Sequence, residues 1–121
     1  MLAQYLSFTQ ADFDADKAIF ELGNYDYAVI QAVGLGKGGS ALTIESTLDS
    51  GAVQGVTDGN YLLAENYVDV AALDLSDGAT YSNLISVDGL YKLFVGGRYV
   101  KLSLSEEGSV TKVLVGLYKI S

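Results

Sequence analysis

The sequence predicts an all-β protein, folded as a single antiparallel β-sandwich of about eight strands in a jelly-roll-like arrangement. Short runs of alternating apolar and polar residues recur along the chain, and glycine-rich breaks separate them at spacings of about ten residues. No long segment has a helical period. With 121 residues, 14 glycines and no proline, the chain fits one turn-rich domain. We expect residues 17–121 to form the sandwich and residues 1–16 to form an N-terminal arm.

The candidate strands follow from the alternation and from the turn residues between the runs. The last three strands predict a meander. The Gly96-Gly97 loop inside this meander predicts a hairpin, because the primed turns of two-residue loops need positive φ. The predicted strands are 17–22, 27–33, 41–48, 68–73, 80–87, 90–95, 98–105 and 110–120, and the pattern also allows two short strands at 52–56 and 61–64.

Two of these runs predict which side chains reach the core. In the second strand of the meander, Val100, Leu102 and Leu104 are expected to face the core, because side chains alternate between the two faces of a strand. Lys101 is then expected to face solvent or an interface. The run 27–33 is apolar on both faces, which predicts a strand in the middle of the sandwich.

The N-terminal segment shows neither a strand period nor a sustained helical period. Its aromatic residues Tyr5, Phe8 and Phe13 are the candidate partner-binding residues, because aromatic side chains bury a large area at a modest cost in entropy. We therefore interpret residues 1–16 as a contact arm. The alternative is that this segment pairs as an edge strand, or caps the sandwich, within its own subunit.

The composition argues against several classes of function. The chain has no cysteine and no histidine, so disulfides, thiolate metal sites and the usual general base are excluded. We predict no catalytic residue, no metal, no cofactor and no enzymatic activity. A net charge of −8 argues against nucleic acid and anionic membranes as partners. No run approaches the roughly 18 apolar residues of a membrane helix.

The charges are unevenly placed, and half of the residues are apolar. Residues 1–88 carry two lysines against thirteen acidic residues, a net −11, and residues 89–121 carry five basic residues against two acidic ones, a net +3. This asymmetry predicts either head-to-tail contact between copies or simply solvated strand faces. The apolar content predicts a homo-oligomer, with a trimer favoured.

Two motifs resemble ion-binding loops but lack the residues that such loops need. Asp12-Phe-Asp14-Ala-Asp16 alternates acids as a calcium loop does, but Lys17 stands where glycine is needed and Gly23 where glutamate is needed. The glycines of 34–39 lack the Gly-Lys-Ser/Thr ending of a phosphate loop.

A small hydrolase with two facing carboxylates stays an alternative, although most aspartates stand in turns. The nine tyrosines predict core-edge packing, a subunit interface or sugar stacking.

Two stretches resemble small β-sandwich proteins of tailed-phage virions. One is N-Y-D-Y-A-V-I-Q-A-V-G at 24–34, followed by A-L-T-I-E-S-T-L-D-S-G at 41–51. The other is G-L-Y-K-L-F-V-G-G-R-Y-V-K-L-S-L-S at 89–105, followed by S-V-T-K-V-L-V-G at 109–116. The resemblance implies a structural protein located in the virion, either capsid-decorating or an auxiliary head protein. Its partners would be the major capsid protein or other virion proteins. The alternative is a carbohydrate- or receptor-binding β-sandwich module.

Overall fold

The computed structural model describes residues 1–36, 39–49, 64–94 and 98–120. These residues form eleven strands and one short helix, which confirms the all-β class. The strands build a six-stranded and a five-stranded antiparallel sheet. In chain order the elements are β1 (Leu2–Thr9), α1 (Gln10–Asp14), β2 (Ile19–Glu21), β3 (Tyr27–Val33), β4 (Leu42–Thr47), β5 (Val68–Asp69), β6 (Ala72–Asp74), β7 (Tyr81–Ser82), β8 (Leu84–Ile85), β9 (Gly89–Leu93), β10 (Tyr99–Leu104) and β11 (Lys112–Tyr118).

The order of the strands defines a jelly roll. The six-stranded sheet has the order β1-β11-β3-β9-β6-β7, and the five-stranded sheet has the order β2-β10-β4-β5, with β8 also paired to β4. The pairs are nested along the chain, because β1 pairs with β11, β2 with β10, β3 with β9 and β4 with β8. Such nested pairing, distributed over two packed sheets, is the jelly-roll arrangement predicted from the sequence.

The predicted N-terminal arm is wrong, because residues 2–9 are part of the sandwich. They form β1, the edge strand of the six-stranded sheet, which pairs with β11. The helix α1 follows, and the Asp12 carboxylate accepts the backbone N–H of Thr9 at 2.8 Å across its first turn. Phe13 points from this helix into the core with 6% of its surface exposed. The strand period of β1 is hard to recognise because the polar, exposed Gln4 lies on the same side of the strand as Leu6, whereas the aromatic Tyr5 lies on the outward side.

The predicted C-terminal meander is also wrong. Its three strands alternate between the sheets: β9 pairs with β3 and β6, β10 pairs with β2 and β4, and β11 pairs with β1 and β3. The strands on either side of Gly96-Gly97 therefore do not pair as a hairpin. The Gly96-Gly97 loop itself, the predicted strand 52–56 and most of the predicted strand 61–64 lie outside the described residues.

Two predicted strands are each divided between the sheets. The run 68–73 supplies β5 to the five-stranded sheet and β6 to the six-stranded sheet. The run 80–87 supplies β7 and β8 in the opposite order. These crossings, together with β1, explain why the described residues contain eleven strands rather than about eight.

The core lies between the inner faces of the two sheets. Val100 and Leu102 have at most 2% of their surface exposed, as the alternation predicts, and Leu104 is half-buried against the same cluster. Lys101 lies between them on the opposite face of β10 and is half-buried. Within the described ranges, no helix is long and apolar enough to cross a membrane.

Candidate interaction surface

Four long strands lie side by side in the six-stranded sheet, in the order β1-β11-β3-β9. Their side chains alternate, so every second one points away from the five-stranded sheet. These outward residues form a mainly apolar surface, called the outer face from here on. Its members are Tyr5 and Ser7 from β1, Lys112, Leu114, Gly116 and Tyr118 from β11, Tyr27, Val29, Gln31 and Val33 from β3, and Leu90, Lys92 and Phe94 from β9 and its end.

The outer face arises because its central strands are apolar on both sides. In β3, Ala28 and Ile30 are fully buried in the core while Val29, between them, lies on the outer face. In β11, Val115 is buried and its neighbour Leu114 points outward. The sequence therefore indicated the apolar second face, which we interpreted as a sign of a central strand. Sequence reasoning did not predict that this face forms a surface.

A shallow depression of about 240 Å³ lies in the outer face where β1, β11, β3 and β9 meet. Gly116 is part of its lining, directly opposite Tyr5 on β1 and Val29 on β3. A Cβ atom on Gly116 would lie 2.9 Å from the ring of Tyr118 and 3.1 Å from a methyl group of Leu2. The absence of a side chain at this position therefore keeps the depression open.

An aromatic stack stands at one end of the outer face. The rings of Tyr27 and Tyr118 are nearly parallel, with centroids 4.8 Å apart and an interplanar angle of 7°. The Lys92 ammonium lies 4.1 Å from the Tyr27 ring centroid and 4.6 Å from that of Phe94. Tyr118 comes from β11 and Lys92 from β9, the two strands on either side of β3.

The outer face carries positive charge in an otherwise acidic chain. Lys92 and Lys112 lie on it, whereas β1, β3, β9 and β11 contain no aspartate or glutamate at all. The whole chain has a net charge of −8. A complementary surface would therefore be apolar and would contribute carboxylates.

The three predicted partner-binding residues differ in position and burial. Tyr5 lies on the outer face with 59% of its surface exposed. Phe8 is half-buried and stacks on Phe20 of β2, with ring centroids 6.4 Å apart. Phe13 belongs to the buried core. Phe8 and Phe13 therefore anchor β1 and α1 to their own sandwich, because their apolar surface is already covered, and only Tyr5 is open to a partner.

A second depression, of about 330 Å³, lies beside β6, β7 and β9 and is rich in hydroxyl groups and carboxylates. Its aspartates already have partners: Asp88 accepts the backbone N–H groups of Gly34 and Leu35, each at 2.9 Å, and Asp74 accepts that of Ser76. Burial, and then the charges of Asp74 and Asp88, raise the pKa of Tyr91. The pocket could accept a small polar molecule such as a sugar.

The aspartates predicted to stand in turns serve the backbone there. Asp77 accepts the N–H groups of Ala79 and Thr80 and the Thr80 hydroxyl, and these bonds lower its pKa from 3.8 to about 2. Asp49 accepts the N–H of Glu65 at 3.2 Å. Asp58 lies outside the described residues. Asp49 and Asp77 therefore have local structural roles in their turns, whereas Asp74 and Asp88 line the same hydroxyl-rich depression.

No protein-family model, curated protein or solved structure matches the chain. The residues and geometry of the outer face are therefore the basis of the functional interpretation.

Proposed function

We propose that this protein is a non-enzymatic structural component that binds other protein chains through the outer face of its six-stranded sheet. The observation that carries the proposal is the nature of this face: it is apolar and aromatic, it holds two lysines, and its four strands contain no carboxylate. Contiguous apolar surfaces of this kind mark sites of protein interaction in soluble proteins. Aromatic residues are enriched where such contacts are strongest.

The partner we propose is the major capsid protein, or another protein, of a tailed-phage virion. The resemblance at 24–34, 41–51, 89–105 and 109–116 supports this choice, and these stretches include β3, β4, β9 and β10 and most of β11. They therefore contribute much of the outer face as well as the core beneath it. In this role the chain decorates the capsid or serves as an auxiliary head protein, and its partner offers apolar residues flanked by carboxylates.

The carbohydrate-binding alternative gains little support from the tyrosines. A sugar platform needs ring faces open to solvent, and the Tyr27 ring is instead packed against Tyr118 and the Lys92 ammonium, while the exposed Tyr5 and Tyr81 lie on different strands at opposite edges of the sheet. The hydroxyl-rich depression beside β6, β7 and β9 is the site at which sugar binding can be tested. An NMR titration with neutral monosaccharides that shifts the amide signals of Thr80, Ser82 and Tyr91 would support it.

The proposed function is tested on purified virions of the phage that encodes the chain. Mass spectrometry should detect the chain at a regular ratio to the major capsid protein. Particles prepared without it should then bind the purified chain when it is added back. A chain that is absent from the particle and does not bind to it would overturn the virion role.

A matched pair of variants tests the surface. Leu114→Asp places a charge in the middle of the outer face, and Thr43→Asp places the same charge on the opposite side of the sandwich, at an equally half-buried position of β4. Leu114→Asp should weaken particle binding by more than roughly tenfold, because an unpaired carboxylate would be buried at the contact. Thr43→Asp should bind as the unchanged chain does. Equal binding by both variants would rule out the outer face as the contact surface.

A further inference from the structure

The lateral edges of the two sheets differ in length and charge. The six-stranded sheet ends in β1 on one side and β7 on the other, and the five-stranded sheet ends in β2 on one side and in β5 with β8 on the other. Three of these edge strands have two residues each, and β2 has three, of which one is Glu21. By contrast, β1 has eight residues, with no charge and no proline.

Short strands, charges and prolines are the devices by which β-proteins prevent an edge from pairing with another chain. Among the described strands, β1 is the long edge that has none of these. It pairs with β11 on one side. Because every second backbone N–H and C=O group of a strand points to each side, the other side presents a row of groups able to bond an added strand.

The register of β1 leaves enough regular strand for such pairing. A register shift lies between Leu2 and Gln4, and beyond it residues 4–9 pair with β11 without interruption. Six regular residues are a typical strand length. Tyr5 and Ser7 in this stretch are exposed on the outer face. Their side chains therefore do not cover the backbone groups with which an added strand would pair. Leu6 and Phe8 point inward and hold the strand to the core.

We propose that β1 is the site at which a second copy of this chain adds its own β1, antiparallel and around a twofold axis, to form one continuous sheet of twelve strands, six from each copy. Antiparallel pairing of identical strands makes a closed, self-complementary contact, whereas parallel pairing would not close. The added strand must be extended and long. In the described part of a second copy, the edge that meets this requirement is β1 itself.

Charge limits where two copies can meet. Two chains with a net charge of −8 each repel one another over most of their surfaces. The uncharged β1 lets two copies meet without opposing carboxylates along the strand. The dimer would also join two outer faces into a single larger surface, because the side chains of paired residues lie on the same side of a sheet. Tyr5 and Ser7 belong to the outer face as well as to β1, so cross-linking compared with an outer-face control tests the edge pairing, and Leu114→Asp on β11 tests outer-face binding.

Cysteine cross-linking tests the pairing directly, because the natural chain has no cysteine. Residues directly opposite in an antiparallel pair have Cα atoms about 4.5–5.5 Å apart, a distance that a disulfide can span. If the axis passes through position 5, Tyr5→Cys chains should cross-link to each other. If it passes through position 7, Ser7→Cys chains should do so. If it passes through position 6, only the mixture of the two variants should cross-link.

The matched control is Leu90→Cys, which is exposed on the same outer face but lies on β9, three strands away from the edge. One of the three edge combinations should give more than about ten times the covalent dimer of this control under mild oxidation. Yields at the level of the control in all three would overturn the proposal. Because Leu90→Cys reports random collision through the outer face, it also separates this proposal from outer-face binding.

A second measurement does not depend on disulfides. Sedimentation of the unmodified chain should show a dimer of the 12.8 kDa chain, and added salt should strengthen it by screening the repulsion between acidic copies. The double variant Tyr5→Lys, Ser7→Lys should raise the dissociation constant by roughly tenfold or more, because it sets like charges opposite one another. Circular dichroism should show an unchanged fold. A trimer, as predicted from the sequence, would contradict the twofold contact.

Discussion

The two outward surfaces of the sandwich have opposite chemistry. The outer face of the six-stranded sheet presents Val29, Leu114 and Leu90 around an open depression. The outward side of the five-stranded sheet presents polar groups such as Thr43 on β4, and Lys101 on β10 lies opposite Glu45. Both sheets cover the same core between them, so burial of the core does not explain the difference between their outward sides.

The comparison shows how far alternation can be trusted. A strand with one polar side has only one side that can be buried, which is why the core residues of β10 were predicted correctly. A strand that is apolar on both sides, such as β3, does not specify which side is covered by its own subunit. The apolar side left outside then has a reason beyond folding, and binding a partner protein is the reason proposed above.

The largest expected effect lies on the inner side of β10. Leu102→Ala should lower the free energy of unfolding by roughly 2–5 kcal/mol, because Leu102 is 2% exposed and its loss leaves a cavity between the sheets. Lys101→Ala, on the other side of the same strand, should cost less, about 0.5–1 kcal/mol, because Lys101 is half-buried with its ammonium 5.8 Å from the Tyr67 ring centroid. Urea denaturation of both variants gives these values. Similar losses at the two positions would contradict the assignment of the faces.

A smaller effect is expected in the aromatic stack of the outer face. Lys92→Met keeps most of the aliphatic chain but removes the cation over Tyr27 and Phe94, so it should cost about 0.5–1 kcal/mol of unfolding free energy. Lys112→Met is the control, since its ammonium lies over no ring of the described residues. Thermal denaturation at low salt compares them, and an equal loss in both would show that the rings do not interact with the cation.

An even smaller effect on folding is expected at Leu90, which is 46% exposed. Leu90→Ala should change the free energy of unfolding by no more than about 0.5 kcal/mol, because nearly half of its surface stays in water in the single chain. The same variant should bind particles more weakly if the outer face is the contact surface. A loss of stability comparable to that of Leu102→Ala would show that Leu90 belongs to the fold of its own subunit.

No acidic residue lies in the four long strands of the outer face, and Asp77, in the turn between β6 and β7, provides a measurable example of an acidic group elsewhere. Its pKa in the folded chain, about 2, is below the ordinary 3.8, so its contribution to stability is present above pH 3.8 and is lost as the pH falls through 2. An NMR titration of its carboxyl carbon should show this low midpoint. Thr80→Val removes the hydroxyl bond and should move the midpoint upward, and an unchanged midpoint would contradict the assigned cause.

The sequence by itself determined the all-β class, the bounds of β3 and the alternation that buries Val100 and Leu102. These features depend on local properties: a strand alternates its side chains wherever it lies, and turn residues end it. The sequence also indicated a second apolar side on β3, although not its use.

Only the tertiary structure decided which strands pair. The backbone hydrogen bonds of a sheet are the same for every sequence, so β9, β10 and β11 could be recognised as strands but not assigned to alternating sheets. The same reason explains why residues 1–16 were taken for an arm. What makes β1 a strand is β11 beside it and the core beneath Leu6 and Phe8, both of which the chain supplies only after it has folded.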